Sequence, residues 1–427
     1  MKKIQTIILL LLAIVTGVSA QSIRKNHLEM TQSEKDELVD AFYQLKSSPN
    51  LIDDIATFYD NNYYDIHANG TSDDVFLAWY RRLLFEMEQS MQDINPNLSI
   101  PFWDWTTDQS TSSVLWDYDF LGQFNSDWGL GRSLGSHDLP TSADVATLQA
   151  NTNWYYYTTF FEFEEVHTAP HNWVEGFMGE IYEGGRSPID PAFYLHHCMM
   201  DKIWQEWVET NNITSSSNLY VKTTMPRYDG TYTFNGQTLP SVNPDNIVDS
   251  KVLGVFYAEN QLAELVDYSV SNTYNSEECF YYQYKIEAKN DFVIPNSKKA
   301  KIESQTQVVL LPGFVANNGA VFLAKIDTDN NINSSIRQGS TVSIQNQGEV
   351  LEVFPNPTTD GIQVKLQNKC FNCELSILNS QGETLFMEKM NEKQNLTMDL
   401  NGLREGLYFL KLQDGNNIVM TKKITKL

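Results

Sequence analysis

The chain has 427 residues, with 30 Lys+Arg against 54 Asp+Glu and a formal net charge of −24. That length allows two or three domains with sizeable cores, while so acidic a chain is repelled by phosphate, which excludes nucleic acid and anionic membranes as partners. Four cysteines (Cys198, Cys279, Cys370 and Cys373) are too few for a disulfide framework, and Cys370 and Cys373 form a lone CxxC with no second pair to complete a zinc site.

The chain opens "MKKIQTIILLLLAIVTGVSAQS", a short basic start followed by an apolar run and small residues at Val18-Ser19-Ala20. This is the build of a cleavable signal peptide over residues 1–20, and its apolar run is too short to span a bilayer. No other stretch reaches transmembrane length, so the mature protein is expected to be soluble and exported.

Residues 21–270 are rich in Trp, Tyr and Phe, and their longer patterns have helical period. The stretch "VFLAWYRRLLFEMEQSM", Val75 to Met91, reads as one amphipathic helix with Phe76, Trp79, Leu83 and Met87 on its buried face. Further on, "EEVHTAPHNWVEGFMG" places His167 and His171 at i and i+4, one turn apart on one helical face, a spacing that suits two ligands to one metal. The next helix should start in "SPIDPAFYLHHCMMDKIW", where Ser187 and Asp190 precede Pro191. It carries His196 and His197, of which only one is expected to face inward, since neighbours point about 100° apart. Two histidines from one helix and a third from the next is the way bundles hold metals, and imidazole without thiolate suits copper, zinc or nickel. Of the other histidines, His67 lies in "YDIH", His27 is expected at the surface or at a helix start, and His137 is expected to be solvated in a Gly- and Ser-rich loop.

Residues 275–340 turn to alternating apolar and polar texture. "CFYYQYKIEA", "TQVVLLPGF" and "AVFLAKID" read as strands of a short β-roll, to which no chemistry is assigned. A polar link, "SIQNQGEV", leads to residues 350–427, where short strands broken by "NSQG", "LREG" and "QDGN" predict a small all-β sandwich. The expected fold is thus a mainly α core, a short β-rich segment and a small β-sandwich.

"VFPNPTTDG", "SILNSQGE", "LNGLREGLYFLKL" and the basic end "TKKITKL" resemble the C-terminal sorting domain of the bacterial type IX secretion system. The resemblance implies that this secretion machinery is a partner. It also implies export through the periplasm to the cell surface or the medium.

The helical zone resembles a second family. "HTAPHNWVEGFMG" followed by "SPIDPAFYLHHCMMDKIW" is similar to the copper B signature of tyrosinases and haemocyanins. Upstream, "SIRKNHLEMTQSEKDELVDAFYQLK" resembles the family's opening helix and "NLSIPFWDWTTD" its "PYWDW" segment. The resemblance implies a four-helix bundle with long loops, with His167, His171 and His197 as copper B ligands and His196 as a neighbour that does not bind metal. It also implies two coppers, each held by three histidines and acting together on dioxygen to oxidise phenols or catechols.

The copper A half departs from the pattern. Where the family has histidine in "FLPWHR", this chain has Tyr80 in "FLAWYRR". His67 aligns with the second ligand and Tyr59 with the first, although the spacing also allows His67 to be the first with the second deleted. At least two of the three copper A histidines are therefore missing, and both tyrosines can be read as aromatic filling. Thr168 and Glu175 also differ from the family's common residues and argue against monophenol hydroxylation. Asp201 is a candidate orienting partner for the ligand helix or for Arg81. Two functions remain: an exported copper oxidoreductase on small phenolics with one copper at the B site, or a non-enzymatic surface protein that keeps the fold and one metal or none.

Overall fold

A computed structural model of the chain describes residues 18–67, 74–163, 165–271, 277–326, 351–356, 358–366, 373–379, 384–389, 395–414 and 417–426. Most of the expected signal peptide, the polar link and Cys370 lie outside the described residues. Two compact units result, one within Met1–Gly339 and one within Ser340–Leu427.

The first unit begins with helices α1 (Gln32–Ser47), α2 (Leu51–Ile66), α3 (Phe76–Ile94), α4 (Gly122–Asp127), α5 (Ser142–Gln149), α6 (Trp154–Phe163), α7 (Glu165–Val174) and α8 (Pro191–Thr210). Local chemistry sets several starts. Thr31 and Glu34 form a reciprocal capping box at α1. At α8 the Asp190 side chain accepts from the Ala192 N–H, with Pro191 in the first turn, where its missing N–H costs nothing. Asp190 is held in turn by Arg132. Helix α3 covers the predicted stretch, and Phe76, Trp79, Leu83 and Met87 are all completely buried. Its other face is buried too, because α1 and α8 both pack on it.

The strands of this unit are β1 (Val18–Arg24), a small β2–β3 hairpin (Thr233–Phe234, Gln237–Thr238), β4 (Val255–Glu259), β5 (Leu262–Leu265), β6 (Tyr268–Ser269), β7 (Glu277–Tyr282), β8 (Lys285–Ala288), β9 (Phe292–Ile294), β10 (Lys299–Ser304), β11 (Gln307–Leu310), β12 (Val315–Ala316) and β13 (Val321–Ile326). From β7 onward the chain winds as a parallel solenoid. Residues 278, 300 and 322 stand level along β7–β10–β13, a step of 22 residues. The same step aligns 286 with 308 and 293 with 315 on the other two faces. Phe280, Ile286, Phe292, Ile294 and Ile302 fill the interior. The expected roll is therefore a repeat structure whose inward positions, not whose sequence, recur.

Strand β1 lies in the middle of the large sheet, whose order is β11-β8-β5-β4-β1-β7-β10-β13. Its Val18–Gln21 half pairs in parallel with β7, and its Ser22–Arg24 half pairs with β4. The residues on both sides of the expected cleavage point after Ala20 are therefore in the ladder.

The second unit comprises β14 (Leu351–Phe354), β15 (Gly361–Leu366), β16 (Cys373–Leu378), β17 (Thr384–Lys389), β18 (Asn395–Asp399), β19 (Gly406–Asp414) and β20 (Asn417–Lys426). They form two antiparallel sheets, β14-β15-β18 and β17-β16-β19-β20. Ile362, Val364, Leu375, Ile377, Leu410 and Leu412 fill the core of the predicted sandwich. No described helix is long and apolar enough to cross a membrane.

Candidate metal centre

Helices α7 and α8 bring four imidazoles together. His167 and His171 from α7 and His196 and His197 from α8 each offer a nitrogen within 4.8 Å of the others, and all four are buried. The i,i+4 spacing thus does align His167 with His171. The expectation that only one of the α8 pair faces inward is corrected, since His196 and His197 are both completely buried and both belong to the cluster. The angle between neighbours on α8 is accommodated because the "WDW" segment covers the His196 side. Trp103 N donates to Leu195 O at 3.1 Å, docking the segment on α8, and Trp105 Nε1 donates to His196 Nδ1 at 3.1 Å.

Hydrogen bonding assigns a different job to each ring. His171 Nδ1 lies 2.7 Å from Met178 O, and His197 Nδ1 lies 2.8 Å from Phe193 O, one turn back on its own helix. A carbonyl only accepts, so Nδ1 carries the proton in both rings and Nε2 presents a lone pair. In both residues Nε2 is buried without a hydrogen-bond partner, an expensive state for a polar atom unless a cation takes it. His196 is the opposite case. Its Nδ1 accepts from Trp105, so the proton of the neutral ring sits on Nε2, which then has no lone pair to offer a metal. That tautomer sets His196 apart from His171 and His197, although all share the cluster. Burial first, and the neighbouring histidines second, hold His171, His196 and His197 well below the ordinary imidazole range, so the rings are neutral as metal ligands must be. Neutral nitrogen donors in a dry pocket fit a borderline ion such as copper.

The turn after α7 makes this possible. A Cβ on Gly176 would stand 2.2 Å from Leu130 O, and its φ is +56°, so only glycine fits. That turn swings the chain back so that Met178 O meets His171. Ser187 Oγ also donates to Met178 O at 2.9 Å, fixing the carbonyl.

Across the pocket lie α2 and α3. His67, the C-cap of α2, faces His167 with ring centroids 5.8 Å apart. Its Nδ1 lies 3.2 Å from Tyr63 O, so Nε2 is the accepting nitrogen, and the Tyr80 hydroxyl stands 3.2 Å from it. Tyr80 also stacks flat on His197, with centroids 3.8 Å apart and planes 13° from parallel. Tyr59 is completely buried, 5.7 Å ring to ring from His67. Both tyrosines therefore line the half of the pocket where the sequence expects copper A histidines. Burial holds His67 well below its ordinary range as well.

Other expectations resolve individually. Asp201 does bind Arg81, with Nε 2.6 Å from Oδ1, while its second oxygen takes Arg24 Nη1 at 2.8 Å and the Tyr257 hydroxyl at 2.5 Å. Arg24 also grips both oxygens of Glu88, at 2.7 and 2.9 Å, so β1, α3 and α8 are tied together in the core. His27 does begin a 3-10 helix but is not at the surface: it is fully buried, with Nε2 2.8 Å from Asp108 Oδ2. His137 is exposed, bonded to Asn172 O and Ser136 Oγ, and outside the cluster. Glu175 is half-buried in the left-handed region, φ 56°, closing α7. Sequence reading missed the role of Trp105 and the carbonyls of Met178 and Phe193. Only the Phe193 contact had a signal, because the carbonyl four residues back is always within reach of a helical histidine.

Comparison with known proteins finds two matching families. The profile of the common central domain of tyrosinase matches residues 42–133 and 133–210, and that of a secretion system C-terminal sorting domain matches residues 352–426. A tyrosinase of Streptomyces glaucescens is 30% identical over 229 residues, covering 44% of this chain and 82% of that protein. A haemocyanin of Enteroctopus dofleini is 29% identical over 223 residues, covering 45% of this chain and 17% of that protein. Among solved structures, a polyphenol oxidase from Thermothelomyces thermophila superposes with a TM-score of 0.42 at 16% identity, covering 56% of this chain and 89% of that one.

Proposed function

The chain belongs to the tyrosinase family, and on that footing we propose that it is an exported copper protein holding one ion on His167, His171 and His197, with the other half of the site closed by Tyr80. The sorting domain implies export to the cell surface or the medium. The tyrosinase-like copper-binding and sorting parts are read as residues 21–270 and 350–427, with the β-rich segment 275–340 between them. Passage through the periplasm follows from the signal peptide read at residues 1–20.

The observation that carries this reading is the contact between Tyr80 and His67. In a dinuclear site His67 would offer Nε2 to a second ion; here that lone pair takes the Tyr80 hydroxyl, 3.2 Å away. His67 is thus the surviving member of a second ligand set and would serve a metal only after Tyr80 releases it. On the other side the unsatisfied Nε2 atoms of His171 and His197 support a resident cation. Copper bound there would supply a redox-active, electron-accepting centre for small phenols or catechols. The protein's own part is to keep His171 and His197 neutral and aimed by carbonyl acceptors, to keep His196 out of the ligand set through Trp105, and to exclude water. With one ion in place of two, phenol oxidase activity is absent or very low.

Copper reconstitution tests the reading. About one copper per chain with a paramagnetic resonance signal supports it. Two coppers with a silent, coupled spectrum and oxygenated absorption overturns it. No retained copper favours a non-enzymatic surface protein of the same fold.

A further inference from the structure

Tyr80 is buried between His67 and His197. Its hydroxyl meets an imidazole nitrogen whose proton is already on the far side of the ring, because His67 Nδ1 donates to Tyr63 O. The phenol therefore has a fixed proton acceptor at 3.2 Å, in a buried pocket. Its ring stacks on His197 at 3.8 Å. From His67 a run of aromatic contacts leads outward: Tyr63 lies 4.3 Å from the His67 ring, and Tyr64 lies 5.4 Å from Tyr63. Tyr64 is 66% exposed. A buried phenol, its base and a surface tyrosine are thus joined by adjacent rings.

We propose that Tyr80 is a redox-active side chain: it yields one electron outward through Tyr63 and Tyr64 while its hydroxyl proton passes to His67 Nε2. The electron reduces a high-potential one-electron oxidant at the surface. The Tyr80 O–H bond breaks, an N–H bond forms on His67, and the products are a neutral Tyr80 phenoxyl, protonated His67 and the reduced oxidant. A phenol that has lost an electron is a very strong acid, so even a buried imidazole takes its proton, and a base already at hydrogen-bond distance lets proton and electron leave together. Burial then protects the radical from the coupling reactions that consume an exposed one. The site would in this way perform one-electron chemistry where its relatives' second metal would sit. The inference holds with or without copper on α7 and α8, so its failure and the failure of the one-copper reading are separable.

The test uses the metal-free full-length protein, with photogenerated tris-bipyridyl ruthenium(III) as the oxidant and paramagnetic resonance as the readout. A long-lived neutral tyrosyl signal is expected, with a strongly coupled exchangeable deuteron in deuterated water. Tyr80→Phe, which keeps the ring and its stacking, should lose that signal while circular dichroism shows the fold retained, at a lower melting temperature because the His67 acceptor is left bare. Tyr64→Phe should slow its formation and leave its shape unchanged. A long-lived signal that survives Tyr80→Phe overturns the assignment. A signal without the coupled deuteron overturns His67 as the acceptor, and formation at the wild-type rate in Tyr64→Phe overturns the outward path.

Discussion

Replacing Asp201 by leucine should be among the most damaging single changes available in the helical core. Asp201 is 3% exposed and receives Arg81 on one oxygen and Arg24 and Tyr257 on the other. Arg24 keeps both oxygens of Glu88 after the change, so the uncompensated charge is chiefly Arg81. That guanidinium retains the carbonyls of Ile247 and Val248 and its place 3.8 Å over Trp204, but no counter-charge. Stranding one buried charge costs about 3–5 kcal/mol. The assay is urea unfolding followed by tryptophan fluorescence, which reads the first unit alone because all nine tryptophans lie between Trp79 and Trp207. Adding Arg81→Leu should recover much of the loss, since a buried pair replaced whole by apolar groups is often close to neutral. A single variant that loses under about 1 kcal/mol, or a double variant whose loss equals the sum of the two singles, would refute the reasoning.

Three further outcomes follow from the same geometry. His197→Ala should abolish copper retention, whereas His196→Ala should leave the stoichiometry unchanged and weaken affinity by about 10–100-fold, as loss of an outer neighbour does; metal analysis after dialysis separates the two. Tyr59→His combined with Tyr80→His should raise bound copper from one ion towards two per chain, and no gain would show that His67 has been aligned with the wrong ligand. For pH, His67, His171, His196 and His197 are held below their ordinary range by burial. The unfolded metal-free chain therefore binds protons that the folded core refuses once pH falls below about 6.5. Stability should be level above that point and decline below it, by up to about 1.4 kcal/mol per pH unit for each histidine. Urea midpoints that stay flat from neutral pH into the acid range would contradict the neutral-imidazole assignment.

The parts of the site legible in the sequence were those set by local geometry. His167 and His171 share a face because a helix repeats every 3.6 residues, and Asp190-Pro191 announces the start of α8 from capping chemistry alone. Tyr80 could be recognised as a departure because the residues around it kept the helical pattern. What could not be read depends on distant partners. The inward turn of His196 follows from Trp105, about ninety residues earlier in the chain (|i−j| = 91), and the burial of His27 from Asp108. The solenoid was legible as strands but not as a repeat, since Glu278, Ala300 and Phe322 stand level with no shared chemistry. The place of β1 left no mark at all, because VSAQSIR lacks the near-continuous apolar run that a central parallel strand usually shows.

That central strand constrains the order in which the first unit can close. Arg24 emerges early, yet its partner Tyr257 follows 233 residues later, and Glu88 and Asp201 wait on the same guanidinium. Contacts so far apart in sequence close slowly. Early in synthesis the segment has no sheet to join, because β4 and β7 come late in the chain. Once the later strands arrive, the same few residues lock the histidine-bearing helices to the solenoid. Residues 22–24 thus act as a clasp that can fasten only once the late strands of the sheet have formed.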